Sequence, residues 1–233
     1  MDNYYQTGRE NLAISDAVSS FMTRVYAWMG FALLLTALTA HLVASSESAI
    51  SFVYGNSLVF YGLIIGQLVL VIAISAAINK ISSQTASLLF VIYSLMTGVT
   101  FSFIFMIYAK ESIATTFFIT AGVFVLMSIY GAVTKRDLTK LGSILFMALL
   151  GLILATVVNI FRANSTLYWI TTYAGVLIFV GLVAYDTQAL RRLGAQVEEG
   201  ESAAKMSIVG ALKLYLDFIN MFLFLLRIFG RRR

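Results

Sequence analysis

The stretch LYLDFINMF, residues 214 to 222, places one aspartate inside a run of apolar residues that otherwise reads as a membrane-spanning helix. The stretch LVAYDTQAL, residues 182 to 190, does the same with Asp186. A carboxylate in the middle of a spanning helix costs about 2.5–3.5 kcal/mol, so it normally faces the bundle interior or water and has a partner. We therefore interpret Asp186 and Asp217 as one buried, protonatable site on an ion path.

The composition around these stretches is that of an integral membrane protein. The 233 residues are 60% hydrophobic and 12% charged, against roughly 45–50% apolar and 25% charged in a soluble domain. Seven apolar runs have the length that a spanning helix requires. They occupy residues 24–44, 58–78, 86–108, 112–133, 141–161, 167–190 and 206–229, with short polar connections between them. The sequence predicts an all-α membrane protein with a polar tail (1–22), a seven-helix domain (23–230) and a basic end (231–233).

Basic residues are distributed unevenly between alternate connections, which predicts the orientation of the chain. With the amino terminus in the cytoplasm, the far side has only Lys110 and Arg162 in its internal loops, as the positive-inside rule expects. Seven crossings would leave the ending RIFGRRR, residues 227 to 233, outside. The alternative is a last segment that enters and returns, which leaves six spans. The continuous helical pattern after Gly210 favours seven.

Several classes of function lack sequence support. Cysteine is absent, which excludes disulfides, thiol catalysis and thiolate metal sites. The chain has no Walker, HExxH or GxSxG motif, so we predict neither an enzyme nor a bound cofactor. Its net charge of +5 comes from residues between and after the apolar runs instead of from one basic stripe, which argues against nucleic acid as a partner.

The two acids are predicted to lie at similar depths. Asp186 precedes Arg191 by about 7.5 Å of helix, and Asp217 lies roughly 16 Å into the last helix, which enters from the same side. Two carboxylates held together at low dielectric cannot both ionise cheaply, so the pair should share a proton near neutral pH. Deprotonated, they offer up to four oxygens, too few for the shell of six to eight that Ca²⁺ prefers. The sequence predicts weak, transient Ca²⁺ binding at Asp186 and Asp217.

The alternative interpretation of these acids is structural. Lys213 stands four residues before Asp217 on the same helical face and can neutralise it as an intrahelical pair. Asn220, three residues after Asp217, extends that polar face. Asp186 would then be a helix-end residue close enough to the interface to be solvated.

Three stretches together resemble the Bax inhibitor-1, or transmembrane Bax-inhibitor-motif, family. They are YGAVTKRDLTKLGSILFMALLGLILATVVNIF (130–161), GLVAYDTQAL (181–190) and ALKLYLDFINMFLFLLRIFG (211–230), and the similarity runs from about residue 20 to the end. The resemblance implies seven helices with the last one central and wrapped by the other six. It also implies a pH-dependent calcium leak controlled by two aspartates, which map onto Asp186 and Asp217.

Two features bear on this resemblance. Some members of the family latch the closed state with a basic residue in the second helix, whereas residues 58–78 here contain none and offer Gln67, with Lys80 just beyond. Lys213 is a candidate substitute. A second branch of the family lacks the acid in the last helix and restrains a membrane protease, and Asp217 argues against that branch.

The sequence thus predicts a calcium leak channel or calcium/proton exchanger, with the bilayer, Ca²⁺ and protons as its partners. A non-channel modulator that binds a membrane protease or stress-response proteins is the alternative. Proton-coupled transport of an organic solute is disfavoured, because the chain has no internal repeat and no proline-broken helix. The minimal loops favour a bacterial inner membrane.

Overall fold

The computed structural model describes the backbone of residues 2–233 and the side chains of residues 14–233. The described chain is helical. In chain order the helices are α1 (Asp2–Ala44), α2 (Glu47–Tyr54), α3 (Ser57–Ala77), α4 (Ser83–Phe101), α5 (Ile104–Ile107), α6 (Lys110–Val133), α7 (Thr139–Arg162), α8 (Ser165–Gly194) and α9 (Glu201–Phe229). The polar segment predicted as a tail is continuous with α1 from Asp2 onward.

Seven stretches of the described chain are long and apolar enough to cross a membrane. They are Ile14–Ala44, Ser57–Ala77, Ser83–Ile107, Lys110–Val133, Thr139–Arg162, Ser165–Gly194 and Glu201–Phe229. The prediction of an all-helical protein with seven spans is therefore confirmed. The last span is one unbroken helix of 29 residues. It therefore agrees with the prediction of seven crossings and not with the alternative of a last segment that enters and returns.

The spans differ greatly in how much of their surface is buried. The apolar window of α9 is 72% buried, whereas the windows of α3 and α7 are each 6% buried. Exposed apolar side chains on a spanning helix are the surface that lipid covers. α9 is thus the most enclosed of the seven helices, and its central position among the other six stays a prediction.

The third span is broken, which the sequence did not predict. The apolar run at residues 86–108 reads as one helix, but α4 ends at Phe101 and α5 begins at Ile104. The hydroxyl of Tyr54, from α2, lies 2.8 Å from the carbonyl oxygen of Thr100 and accepts a hydrogen bond from the backbone N–H of Phe103 at 3.1 Å. A side chain inserted into the helical hydrogen-bond ladder is a recognised cause of such breaks.

The chain forms two compact units. One contains the residues up to Met106 together with 190–213, and the other contains residues 107–189 together with 214–233. In the first unit α1 packs closely on α4, because a Cβ at Gly98 would lie 2.7 Å from the carbonyl oxygen of Thr36. The Thr36 hydroxyl also donates to the Ser94 carbonyl at 3.0 Å. The second unit contains both predicted site aspartates.

Candidate functional site

Asp186 lies on α8 and is buried. Its side chain is 1% exposed, and the next two residues, Thr187 and Gln188, are buried as well. This part of α8 carries the polar motif YDTQ between apolar turns. A burial this complete contradicts the structural alternative in which Asp186 is a solvated residue at a helix end.

Asp217 lies on α9 and is 5% exposed. Three residues near it on the same helix, Leu214, Tyr215 and Met221, are fully buried. A carboxyl group inside such an apolar helix is desolvated, and a desolvated charge requires a proton, a partner or a cation. Asp217 therefore satisfies the burial that the sequence predicted for it.

The packing of α8 against α9 sets the register of the two acids. The ring of Phe179 on α8 stacks on the ring of Phe224 on α9, with centroids 6.0 Å apart and planes inclined by 27°. A Cβ at Gly175, one turn earlier on α8, would lie 2.6 Å from the Phe224 ring. The two helices run in opposite directions, since a short connection joins them.

From this contact the positions of the carboxyl groups follow by helical geometry. Asp186 is seven residues after Phe179, and Asp217 is seven residues before Phe224. Seven residues make about two turns and 10.5 Å of rise, so each aspartate returns to the face that carries its phenylalanine. We infer that Asp186 and Asp217 lie at the same level on facing sides of α8 and α9, which supports the predicted pairing.

Helix α6 closes this region on another side. A Cβ at Gly131 would overlap the backbone of Ala184, so α6 and α8 meet at backbone distance. On α9, the ring of Phe218 contacts Phe117 and Phe124 of α6, with centroid distances of 5.3 and 5.6 Å. Apolar rings of α6 thus surround Phe218, the residue after Asp217, whereas Thr187, the residue after Asp186, lies 3.4 Å from Oγ of the buried Ser128 on α6.

The side chain of Gln188 fixes the end of α8 against the start of α7. Its Oε1 accepts from the backbone N–H of Leu138 at 2.9 Å, and its Nε2 donates to the carbonyl of Arg136 at 2.8 Å. One turn inward, the Tyr185 ring fills the space that a Cβ at Gly142 would occupy. These contacts hold α8 in one rotation about its axis, and with it the direction of Asp186.

The comparison with known proteins now bears on this site. A family model described as "Inhibitor of apoptosis-promoting Bax1" matches residues 18–233. The chain belongs to the Bax inhibitor-1 family. It is 50% identical over 218 residues to the "Inner membrane protein YbhL" of Escherichia coli strain K12, which covers 93% of both chains. An uncharacterized protein of Borreliella burgdorferi is 46% identical over 216 residues, covering 92% of this chain and 93% of its own.

Membership of the Bax inhibitor-1 family confirms the resemblance carried by the three quoted stretches. All three lie within the matched residues, and so do both aspartates. The family match supplies neither an ion nor a role for the pair.

The two predicted polar partners differ in placement. Asn220 is half-buried, and its Nδ2 donates to the carbonyl of Leu216 on its own helix at 2.7 Å, so its amide is engaged by the backbone. Lys213 is exposed, in contrast to the buried Asp217. Roles for Lys213 as a neutralising or latching group stay predictions.

The donors available to a cation at this site are few. Among residues 14–233, no cluster of three or more His, Asp or Glu side chains has a geometry that would hold a metal ion. Each buried carboxyl has one oxygen, Oδ1 of Asp186 and Oδ2 of Asp217, with no hydrogen bond inside the described chain, although both residues have other interactions. The site therefore suits protonation or passing contact with a cation better than tight storage.

Sequence reasoning missed two residues that build this site. Gln188 stands in the quoted YDTQ motif. A buried glutamine needs hydrogen-bond partners for both its amide oxygen and its amide nitrogen, and this requirement was the available signal. Gly131 gave no signal, because its importance comes from how closely α8 approaches it.

Proposed function

We propose that this protein is a pH-dependent calcium leak channel, or a calcium/proton exchanger, gated by protonation of the Asp186 and Asp217 pair. The observation that carries the proposal is the contact of Phe179 on α8 with Phe224 on α9, from which we infer that two buried carboxyl groups lie at the same level. No enzymatic step and no resident cofactor is part of it. Calcium is the transported ion.

The switch in this proposal is electrostatic. Two ionised carboxylates about 4 Å apart repel each other by about 4 kcal/mol at an effective dielectric constant of 20. One shared proton removes that repulsion and converts the pair into a singly charged, hydrogen-bonded contact between α8 and α9. Loss of the proton leaves negative charge and oxygen acceptors, which attract a cation. The state of the pair therefore depends on pH.

Calcium fits the pair as a transient occupant. Carboxylate oxygens are the ligands that Ca²⁺ prefers, and two aspartates fill only part of its shell of six to eight ligands. The remaining ligands would be water, which permits fast exchange. Ca²⁺ affinity should fall as the pH falls, because protonation removes the charge that attracts the cation.

The site of action is a bacterial inner membrane with the amino terminus in the cytoplasm. The relative YbhL is named as an inner membrane protein, and the distribution of Lys and Arg between connections favours this orientation. The absence of cysteine makes the orientation directly testable. A single cysteine at Lys135 should be protected from an impermeant maleimide added to intact cells, whereas one at Arg232 should be labelled. The reverse labelling pattern would overturn the orientation.

The function is tested by Ca²⁺ flux into dye-loaded proteoliposomes over a range of pH around neutrality. Wild-type flux should vary with pH, and Asp186→Asn and Asp217→Asn should each abolish that variation while the protein stays folded. Asp137→Asn is the matched control, since Asp137 is exposed and its Oδ1 accepts from Thr139, as an amide oxygen also can.

Two results would count against the proposal in different ways. Absence of flux at every pH from folded protein would remove the leak function, and the partner-binding modulator would become the better account. Flux whose pH dependence survives in both Asn variants would leave a channel but remove the pair as its sensor.

A further inference from the structure

Residues 230–233 do not trail away from α9 but lie along the segment that joins α5 to α6. The N–H of Ala109 donates to the carbonyl of Arg231 at 3.0 Å, and the N–H of Arg233 donates to the carbonyl of Ile107 at 3.0 Å. The N–H of Arg231 donates to Oγ of Ser112 at 3.1 Å. The backbone of three consecutive arginines is thereby held in one place.

Gly230 makes this placement possible. A Cβ at this position would overlap the carbonyl oxygen of Leu226 and lie 2.6 Å from the ring of Tyr108. The close approach of the chain to the buried Tyr108 therefore requires glycine. The turn directs the following residues onto residues 107–109 instead of along the axis of α9.

The side chains displayed by this segment are almost all cationic. Arg231, Arg232 and Arg233 are exposed, and so is Lys110 at the start of α6. Glu111 is the acid that the paired segment exposes beside them. We call Lys110 with Arg231, Arg232 and Arg233 the basic patch. The basic patch has four positively charged side chains, and Glu111 is the one negatively charged side chain beside them.

The level of the basic patch relative to the bilayer is marked by aromatic residues. Arg227, in the last turn of α9, lies 5.5 Å from the centroid of the ring of Tyr168, which is at the start of α8. Trp169 and Tyr173 follow on α8, both exposed and stacked at 5.8 Å. Exposed Trp and Tyr concentrate at the headgroup level of a bilayer. The basic patch therefore lies at or just beyond that level.

We propose that the basic patch binds the headgroup of an anionic phospholipid in the membrane that the protein spans. Guanidinium groups bind phosphate oxygens bidentately, and the exposed aromatic residues on α8 indicate that the arginines are near the headgroups of one leaflet. The paired backbone holds the arginines in place before binding, which lowers the entropy lost on association. This inference is independent of calcium transport, because it concerns other residues and a different ligand.

The proposal is tested on the full chain in detergent by native mass spectrometry with added phosphatidylglycerol or phosphatidylcholine. Wild type should bind phosphatidylglycerol more tightly than phosphatidylcholine. A basic residue near anionic lipid strengthens binding by about fivefold, so the triple variant R231Q/R232Q/R233Q should lose most of that preference, at least about tenfold in affinity. Its thermal unfolding without added lipid should match that of wild type.

The matched control removes three cations from the other end of α6, where Lys135, Arg136 and Lys140 are also exposed. K135Q/R136Q/K140Q should change phosphatidylglycerol affinity less than about threefold, within the effect of one charge. A second variant, Gly230→Val, keeps every charge but displaces the segment, and it should also weaken binding.

Three outcomes would overturn the proposal. Equal binding of the two lipids by wild type would exclude an anionic headgroup site. Equal losses in the two triple variants would show that affinity follows net charge. Displacement of phosphatidylglycerol by millimolar inorganic phosphate would show that the patch takes a free anion instead of a lipid.

Discussion

Phe179 of α8 and Phe224 of α9 stack ring on ring at 6.0 Å, two helical turns from Asp186 and Asp217 respectively. This contact sets the register between the two helices that carry the acids. Since each ring is buried, its removal should lower the free energy of unfolding and change the relative position of the two carboxyl groups. The aromatic pair is thus a structural support of the proposed sensor, although neither ring has any ionisable group.

Replacing Phe224 with alanine should destabilise the protein by about 3 kcal/mol or more, because it removes a buried ring and leaves a cavity. The register of α8 on α9 would also loosen, so the pH dependence of Ca²⁺ flux should broaden or shift. Thermal unfolding in detergent and proteoliposome flux measure the two effects. Phe161→Ala is the control, since that ring is 84% exposed. Equal destabilisation by both changes would contradict the assignment.

Replacing Gly131 with alanine should force α6 away from α8. The added Cβ would overlap the backbone of Ala184, which cannot rotate aside as a side chain can. Overpacking of this kind typically costs about 1–3 kcal/mol. Gly151→Ala on α7 is the matched control, because nothing lies within 4 Å of a Cβ there. The melting temperature should fall for the first variant and stay or rise for the second.

Replacing Gln188 with leucine should leave the N–H of Leu138 and the carbonyl of Arg136 without their side-chain partner. Each buried backbone group left unsatisfied costs about 1–3 kcal/mol, and α8 would lose a constraint on its rotation. Faster hydrogen exchange at residues 136–140 is the expected signature. Gln196→Leu, at an exposed position after α8, should leave exchange in that segment unchanged. Unchanged exchange in the Gln188 variant would show that the bridge does not hold the loop.

Replacing Tyr54 with phenylalanine should make the backbone between α4 and α5 more mobile. The hydroxyl bonds with backbone groups at both Thr100 and Phe103, and its removal should cost about 1–3 kcal/mol. Hydrogen exchange at residues 99–105 should accelerate. The same substitution at Tyr61, whose side chain is 62% exposed on α3, should have little effect. If α4 and α5 instead fused into one helix, exchange there would slow, and Tyr54 would not be what stabilises the break.

The seven spans could be predicted from the sequence because each is a run of about 20 apolar residues, a signal that depends only on local composition. The burial of Asp186 and Asp217 could be predicted for a related reason, since each stands inside one of these apolar runs, whereas their depth in the membrane stays a prediction. The burial of both acids agrees with that prediction. Their chemistry stays a prediction until the flux of the Asn variants is measured.

Other features depend on hydrogen bonds with residues distant in the chain, so no local sequence pattern predicts them. The stretch FSF at residues 101–103 contains no proline or glycine, and the helix breaks there because Tyr54 from another helix bonds with its backbone. The connection at residues 45–56 reads as a polar loop, yet it contains α2, which delivers that tyrosine. The placement of residues 230–233 likewise follows from pairing with Ile107 and Ala109.

The contact between Gly131 on α6 and the backbone of α8 indicates which helices can move relative to one another. At Gly131 the neighbour is backbone, so α6 and α8 can separate only by displacing main chain, whereas α9 meets its neighbours through aromatic rings such as Phe218 and Phe224. A ring contact can change with side-chain rotamers, whereas touching backbones part only when main chain moves. A conformational change that parts the two acids is therefore expected to move α9, while α6 and α8 stay together.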